Sequence, residues 1–308
     1  MRRMHDDEID IDEDLVRRLL ASHAPAYDGL PLHRFASTGS SNALFRLGDD
    51  LLVRIPRQPG GTSTIEKERR WLPYVAPVVP VDVPEILVVG EPAAGYSEKW
   101  SIVRFLDGSV PTLPQDDEPP RHDLARDLAA VVNALRDLEV PPDALADPAL
   151  HWYRGDPLAH LDEDMRRLLD ECREIGGLHL DVDAAERGWD DALGLPGAHA
   201  VGDVRWYHGD LLAENLLARD GRLAAVLDFG ALSVGSPAVD LAGAWELLDP
   251  AARITFREAV AVDDDEWRLA RGWSLALAIM ALPYYWRSMP ERCVNRLAQA
   301  RAILDDPA

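Results

Sequence analysis

The 308-residue chain carries 54 acidic against 32 basic side chains, and a formal charge of −22 excludes the basic footprint of a nucleic-acid-binding surface while favouring a cationic small molecule as partner. Two cysteines far apart in sequence, Cys172 and Cys293, offer neither a disulfide framework nor a structural zinc site. The N-terminus turns acidic without a signal-peptide run and the longest uncharged stretch, Gly272 to Trp286, has 15 residues, so no membrane segment and a cytoplasmic location are expected.

The length suits two lobes better than one core. From His33 to Glu91 the texture predicts strands: "HRFAS", "NALFRLG", "LLVRIP" and "PEILVVGE" are short runs bounded by Gly, Pro, Asn and Asp. "TIEKERRWLPYVA" interrupts them with Ile65, Leu72 and Val75 at near-helical spacing, which predicts a sheet with one embedded helix. "WSIVRFLDG" reads as a last strand, and the boundary between lobes is placed near Leu106, giving residues 1–106 and 107–308. Beyond it helices dominate. In "HDLARDLAAVVNALRDL", Leu124, Leu128, Val131, Val132 and Leu135 form one stripe. "GDPLAHLDEDMRRLLDECREIGG" offers Asp156 as N-cap, Pro157 at the first position and a Gly176-Gly177 stop; "GSPAVDLAGAWELLDP" repeats the device from Ser236 to Pro250. Pro283 should end or kink the last long apolar helix.

Within the helical half, "NLLARDGRLAAVLD" predicts a hairpin turning at Asp220-Gly221, where both positions need positive φ. A turn centred there pairs Asn215 with Val226 and Ala213 with Asp228, bringing Asn215 and Asp228 to the same open end, with Asp210 in the loop that feeds it. An Asp and an Asn oxygen suit Mg²⁺, which takes its other ligands from water and phosphate. A further carboxylate beside it can orient a hydroxyl and accept its proton.

The run His208-Gly209-Asp210, then Asn215, then Asp228-Phe229-Gly230 is close to the kinase signature H-R-D-x-x-x-x-N and D-F-G. With the downstream "GSPAVDLAGAW" it resembles the aminoglycoside phosphotransferase family of kinase-like small-molecule kinases, over most of the chain. The resemblance implies an α+β, bilobal protein-kinase-like fold, with a β-rich N-terminal lobe holding one main helix and a mainly helical C-terminal lobe. It implies ATP, with GTP as the alternative, and Mg²⁺ as cofactors. It also implies Asp210 as catalytic base, Asn215 and Asp228 as metal ligands, and the segment from Val103 through Phe105 to Leu106 as the hinge that offers backbone groups to adenine. In "LLVRIPR" Arg54 stands where the family usually has a phosphate-pairing lysine; its partner by spacing is Glu68, with Glu66 second. "STGSSN" lies where a phosphate-covering loop belongs, with Ser40, Ser41 and Asn42 as donors. Ser236 replaces a commonly acidic residue and reads as an N-cap exchange, Asp240 as a buried acceptor supporting the catalytic loop, and His208 as its brace.

The expected activity is transfer of the γ-phosphoryl group to a hydroxyl of a small molecule by a monomer or homodimer. Acidic residues Glu246, Asp249, Asp263, Asp264, Asp265 and Glu291 are candidates to line a pocket for a polyamine such as an aminoglycoside, with solvated surface the favoured reading of each, whereas Trp273, Tyr284, Tyr285 and Trp286 would suit a bulky or quaternary-ammonium acceptor, with core packing their default. Macrolide, choline, homoserine and sugar remain open as acceptors, as does an idle nucleotide-binding protein, which Arg54 favours. Only Lys67 and Lys99 are lysine and neither follows a glycine, so no GxxxxGK[ST] loop exists. "DIDEDL" from Asp10 lacks the glycine and glutamate of a calcium loop, and "HLDVD" from His179 reads as a helix start rather than a metal site.

Overall fold

The computed structural model describes residues 9–35, 41–115 and 118–306. Contacts divide the chain into two units. The first takes the described residues up to Pro77, with Asp82–Gly108 and Ala225–Gly230; the second takes Val78–Val81, Ser109–Ala224 and the described residues from Ala231 onward.

The first unit opens with helix α1 (Glu13–His23), which lies outside the elements expected from the sequence. Asp12 accepts the Leu15 N–H at 2.7 Å, and Glu13 and Asp14 fill the first turn, so the carboxylates that imitate a calcium loop serve as a helix cap instead. Strands β1 (Leu32–Phe35), β2 (Asn42–Leu47), β3 (Leu51–Pro56), β4 (Ile86–Gly90) and β5 (Trp100–Arg104) form one antiparallel sheet in the order β1-β2-β3-β5-β4. Alternation decides its faces. Ala43, Phe45 and Leu47 of β2 and Val53 and Ile55 of β3 join Leu15, Val16, Leu19 and Leu20 of α1 in one core. Arg54, between Val53 and Ile55, therefore points to the opposite face. Helix α2 (Gly61–Val75) buries Ile65, Glu68, Leu72 and Val75 along one stripe, so Glu68 occupies a core position of an amphipathic helix.

The second unit is mainly helical: α3 (His122–Asp137), α4 (Pro142–Leu145), α5 (Asp162–Arg173), α6 (Val182–Leu193), α7 (Ala244–Leu247), α8 (Pro250–Val260), α9 (Asp264–Tyr285) and α10 (Pro290–Leu304). The predicted stripe of α3 is buried throughout, and α3 packs on α8. Helix α9 is apolar almost all round and packs against α5, α6 and α10; it runs through Pro283 to Tyr285, and the Trp286 N–H still reaches the Leu282 carbonyl at 3.0 Å, so Pro283 does not end it. Asp181 caps α6, accepting from Ala184 N–H at 2.9 Å, so "HLDVD" is a helix start. Two predicted caps are corrected. Asp156 is extended between two single 3₁₀ turns, and α5 begins only at Asp162 because Pro157 falls in the irregular link. Ser236 makes no capping bond: the segment after it is a 3₁₀ turn, Pro237–Leu241, and Pro250 starts α8 under the cap of Asp249 instead of ending the preceding helix.

Strand β6 (Arg205–Tyr207) pairs antiparallel with β9 (Ser233–Gly235). Between them runs the predicted hairpin, β7 (Leu216–Arg219) and β8 (Arg222–Val226), whose turn residues Asp220 and Gly221 have φ of 53° and 75°. Asn215 belongs to a 3₁₀ turn, Ala213–Asn215, just ahead of β7, so the predicted Asn215–Val226 and Ala213–Asp228 pairs lie outside the two-stranded ladder. Among the described residues no helix is long and apolar enough to cross a membrane.

Candidate active site

The chain leaves the buried strand β6 into the loop His208–Leu212, whose shape is set by one carboxylate. Asp240 is buried and accepts the His208 N–H at 2.6 Å on one oxygen and the Gly209 N–H at 2.7 Å on the other. Burial pushes its carboxyl up to about 7, against the pull of those two donors. Gly209 has φ of 87°, and a Cβ there would stand 2.9 Å from the Ala231 carbonyl and 3.0 Å from the Trp152 ring, so only glycine fits. His208 is buried and accepts the Asp210 N–H on Nδ1 at 3.2 Å, closing the turn.

That turn presents Asp210. Its Oδ1 meets Arg154 Nη1 at 2.5 Å, and the same nitrogen donates to the Gly209 carbonyl at 2.7 Å. Asn215 Nδ2 donates to Asp210 Oδ2 at 2.7 Å and to its backbone carbonyl at 2.9 Å. Burial alone would raise the Asp210 carboxyl, but the Arg154 guanidinium, by charge and by hydrogen bond, holds it below the usual carboxylate range. With both amide hydrogens directed to Asp210, the Asn215 side chain keeps its carbonyl oxygen for another partner, as a hard cation would require. Arg154 is the member of this site that the sequence did not announce. It comes from a turn 56 residues away, with no spacing signal, and brings a guanidinium to the aspartate where glycine has displaced the signature's own arginine.

Behind the loop a second ionic cluster ties the 3₁₀ turn to α10. Glu214 takes Arg292 on one oxygen and Arg296 on the other, the latter at 2.8 Å, and Arg296 Nη1 also reaches Glu246 Oε1 at 3.0 Å. The Glu246 Oε2 accepts the Ala213 N–H at 2.9 Å. A cavity of about 170 Å³ opens at Asp210, lined by Arg154, Tyr284, Tyr285, Arg292 and Arg296 among others. The acidic residues expected around a cationic ligand do not line it: Glu246 is buried in the ionic cluster, Asp249 and Asp263 cap helices, Asp264 and Asp265 pair with Arg257 and Arg268, and Glu291 sits in the first turn of α10. Of the predicted aromatics, Tyr284 and Tyr285 line the cavity, whereas Trp273 is core.

In the first unit, Arg54 and Glu68 form a bidentate pair, Nη1 to Oε2 at 3.0 Å and Nη2 to Oε1 at 3.2 Å, both side chains buried. Glu66, the alternative partner, is engaged by Lys99 at 2.5 Å. Burial pushes Glu68 up, with Arg54 opposing and the charge of Asp228 adding to the rise. Burial would lower Arg54, yet Glu68 and Asp228 outweigh it and raise the guanidinium. Asp228 therefore shares an electrostatic neighbourhood with that pair; its φ is 54°, and its Oδ1 accepts the Gly230 N–H at 3.3 Å. Ser41 and Asn42 are tied through their carbonyls to Arg57 N–H at 2.9 Å and Nε at 3.1 Å, while Ser40 lies outside the described residues. Val103 is an interior strand residue between β3 and β4, and the Phe105 N–H is given to the Asp50 carbonyl at 2.7 Å, so that donor is not open to an adenine. A larger cavity of about 550 Å³ lies along α2 and β4, lined mostly by apolar residues such as Leu72, Ile86 and Val88, and holds none of the reactive groups except the edge of Glu68.

The predicted residues thus fall into two sets, Arg54, Glu68 and Asp228 in one unit, Asp210 and Asn215 in the other. The model of a phosphotransferase enzyme family matches residues 33–273. A search of curated proteins finds no match. Among solved structures, the GDP complex of aminoglycoside 2'-phosphotransferase-IIIa superposes with a TM-score of 0.69 at 17% identity, covering 96% of this chain and 99% of that one. The ADP-bound aminoglycoside phosphotransferase APH(2'')-Ib gives 0.61 at 16% identity, covering 96% and 99%. Macrolide 2'-phosphotransferase MphH from Brachybacterium faecium gives 0.59 at 25% identity, covering 96% and 98%. The architecture these share with the chain is the protein-kinase-like fold.

Proposed function

From the premise that this chain belongs to the phosphotransferase enzyme family, and is a small-molecule kinase, we propose that it transfers the γ-phosphoryl group of ATP to an alcohol oxygen of its acceptor. The observation that carries this reading is the Asp210 carboxylate, held on one oxygen by Arg154 and on the other by Asn215 in a loop clamped by Asp240.

In phosphoryl transfer the nucleophile needs placement more than a strong base, because the transition state is loose and the hydroxyl proton leaves late. An ionised carboxylate of lowered pKa suits that role. Asp210 accepts the acceptor's hydroxyl hydrogen and points its oxygen along the line of attack, and Arg154 keeps the carboxylate ionised in a partly buried place. The Asn215 carbonyl in one unit and the Asp228 carboxylate in the other are each a hard oxygen donor of the kind Mg²⁺ takes, and that ion would supply neutralisation of the triphosphate oxygens. Arg54, oriented by Glu68, pairs with the α- and β-phosphates, and of the expected covering residues Ser41 and Asn42 are the described donors. At the hinge, the Phe105 carbonyl and Leu106 are the groups for the base, since the Phe105 N–H is engaged.

The test is ATP-dependent phosphorylation of a panel of hydroxylated compounds followed by mass, with slow Mg²⁺-dependent ATP hydrolysis as its baseline. Gain of one phosphoryl mass on an acceptor, lost in Asp210→Asn, supports the reading. A second reading, nucleotide binding without turnover, is favoured by Arg54 in the lysine's place. Hydrolysis that is absent in the wild type, or unchanged in Asp210→Asn, selects it.

A further inference from the structure

The polar wall of the cavity at Asp210 is basic. It presents Arg154, Arg292 and Arg296 against the single carboxylate of Asp210, in a chain whose net charge is −22. Glu214 and Glu246 hold two of those arginines from behind and do not line the cavity. Arg292 is the most exposed of the three, at 22% of its side chain, with its guanidinium 4.7 Å from the centre of the Tyr285 ring. One of its nitrogens is given to Glu214; the other, Nη1, is buried without a hydrogen-bond acceptor among the described residues. What an incoming anion meets is the charge of Arg292, on a side chain that stays partly exposed in the cavity wall. No acidic residue other than Asp210 faces this space, and that carboxylate is committed to the reacting hydroxyl.

Resting on the kinase reading above, we propose that the acceptor is a hydroxylated carboxylate: its carboxylate is received by Arg292 beside the Tyr285 ring, while its hydroxyl meets Asp210. A guanidinium charge attracts a carboxylate and repels an ammonium group, which disfavours a polyamine in this cavity. A second groove of about 340 Å³ shares Met280 and Tyr284 with it and adds Leu161, Met165, Leu168 and Pro283, with Asp164, Arg167 and Glu171 at its side, the last two paired to each other. That surface gives the acid an apolar body to bury, so specificity combines one anion contact with hydrophobic area.

Binding without turnover tests this. Lactate, mandelate and 2-hydroxyoctanoate, each beside its own primary amide, are titrated into the nucleotide-free full chain by calorimetry, with kanamycin as a polycation. The acids should bind about ten-fold more tightly than their amides, a charge-assisted hydrogen bond's worth of preference. That preference should fall to about two-fold in Arg292→Gln, persist in Arg292→Lys, and persist in Asp210→Asn. Equal binding of every acid and its amide, tighter binding of kanamycin, or an acid preference surviving Arg292→Gln overturns the proposal. So does an Arg292→Gln variant that weakens ATP alone, since the arginine then serves the phosphate. ATP hydrolysis on the same preparations separates the two readings: turnover without acid preference removes only the acceptor class, and acid preference without turnover removes only the kinase.

Discussion

Two arginine–carboxylate pairs, one in each unit, show how burial sorts the same chemistry into different tasks. Arg54–Glu68 is fully withdrawn from water, and burial pushes Glu68 up in spite of the guanidinium. Arg154–Asp210 keeps about a quarter of its carboxylate side chain exposed, at 26%, and there the guanidinium wins and holds Asp210 down. The buried pair is a rigid strut whose charges depend on one another, and the exposed pair is a poised anion.

The largest effect should come from the poised anion itself. Asp210→Asn is expected to lower turnover by about 10²–10⁴-fold, the range for a positioned proton acceptor, with nucleotide affinity little changed. Single-turnover kinetics and nucleotide titration on one preparation check both halves. Removing one partner of the strut is the matching experiment. Arg54→Ala leaves Glu68 buried and unpaired, so unfolding in urea should show a loss of about 3–5 kcal/mol. A loss below about 1 kcal/mol would erase the distinction between the pairs.

A smaller effect is expected at Gly209. Gly209→Ala forces a side chain into a left-handed backbone against the Ala231 carbonyl, at a cost of about 1–3 kcal/mol in thermal unfolding, with turnover falling as the Asp210 loop shifts. Two pH experiments sharpen the comparison further. With the Asp210 pKa lowered, its ionised form persists until the pH falls below the usual carboxylate range. In Arg154→Gln the largest opposition to burial is lost, leaving only the charges of His208 and Arg296, so the acidic limb of the pH–rate profile should move to higher pH. Asp240 runs the other way. Raised to about 7 from about 4 in the unfolded chain, it adds stability below the unfolded value that is lost as pH rises through about 7. Urea midpoints of wild type should therefore gain less between pH 4 and 7 than those of Asp240→Asn.

The contrast also explains what could be read from sequence. The Asp210–Asn215 contact was legible because a short loop joins them by local chain geometry, and the Asp220-Gly221 turn carries its own signal. Glu68 was legible because it recurs on the stripe of Ile65, Leu72 and Val75. Arg154, Arg292 and Arg296 were not, since they reach their carboxylates across 56, 78 and 82 residues through tertiary packing. The fate of the acidic residues weighed as a pocket lining was hidden for a related reason. Overall charge says nothing of which carboxylates are consumed as caps and ion pairs. Asp156 and Ser236 were misread as caps because Asx-Pro and Ser-Pro open irregular turns as readily as helices.

The Arg54–Glu68 pair has a practical corollary for anyone surveying a proteome. Nucleotide-shaped acylating reagents capture kinases by modifying an amine beside the triphosphate, and a guanidinium does not react with them under mild conditions. Under the proposed function this chain has an arginine at that place, and it has only two lysines anywhere, one of them, Lys99, locked between Glu66 and Glu91. An inventory drawn up with such reagents would pass the enzyme by unlabelled.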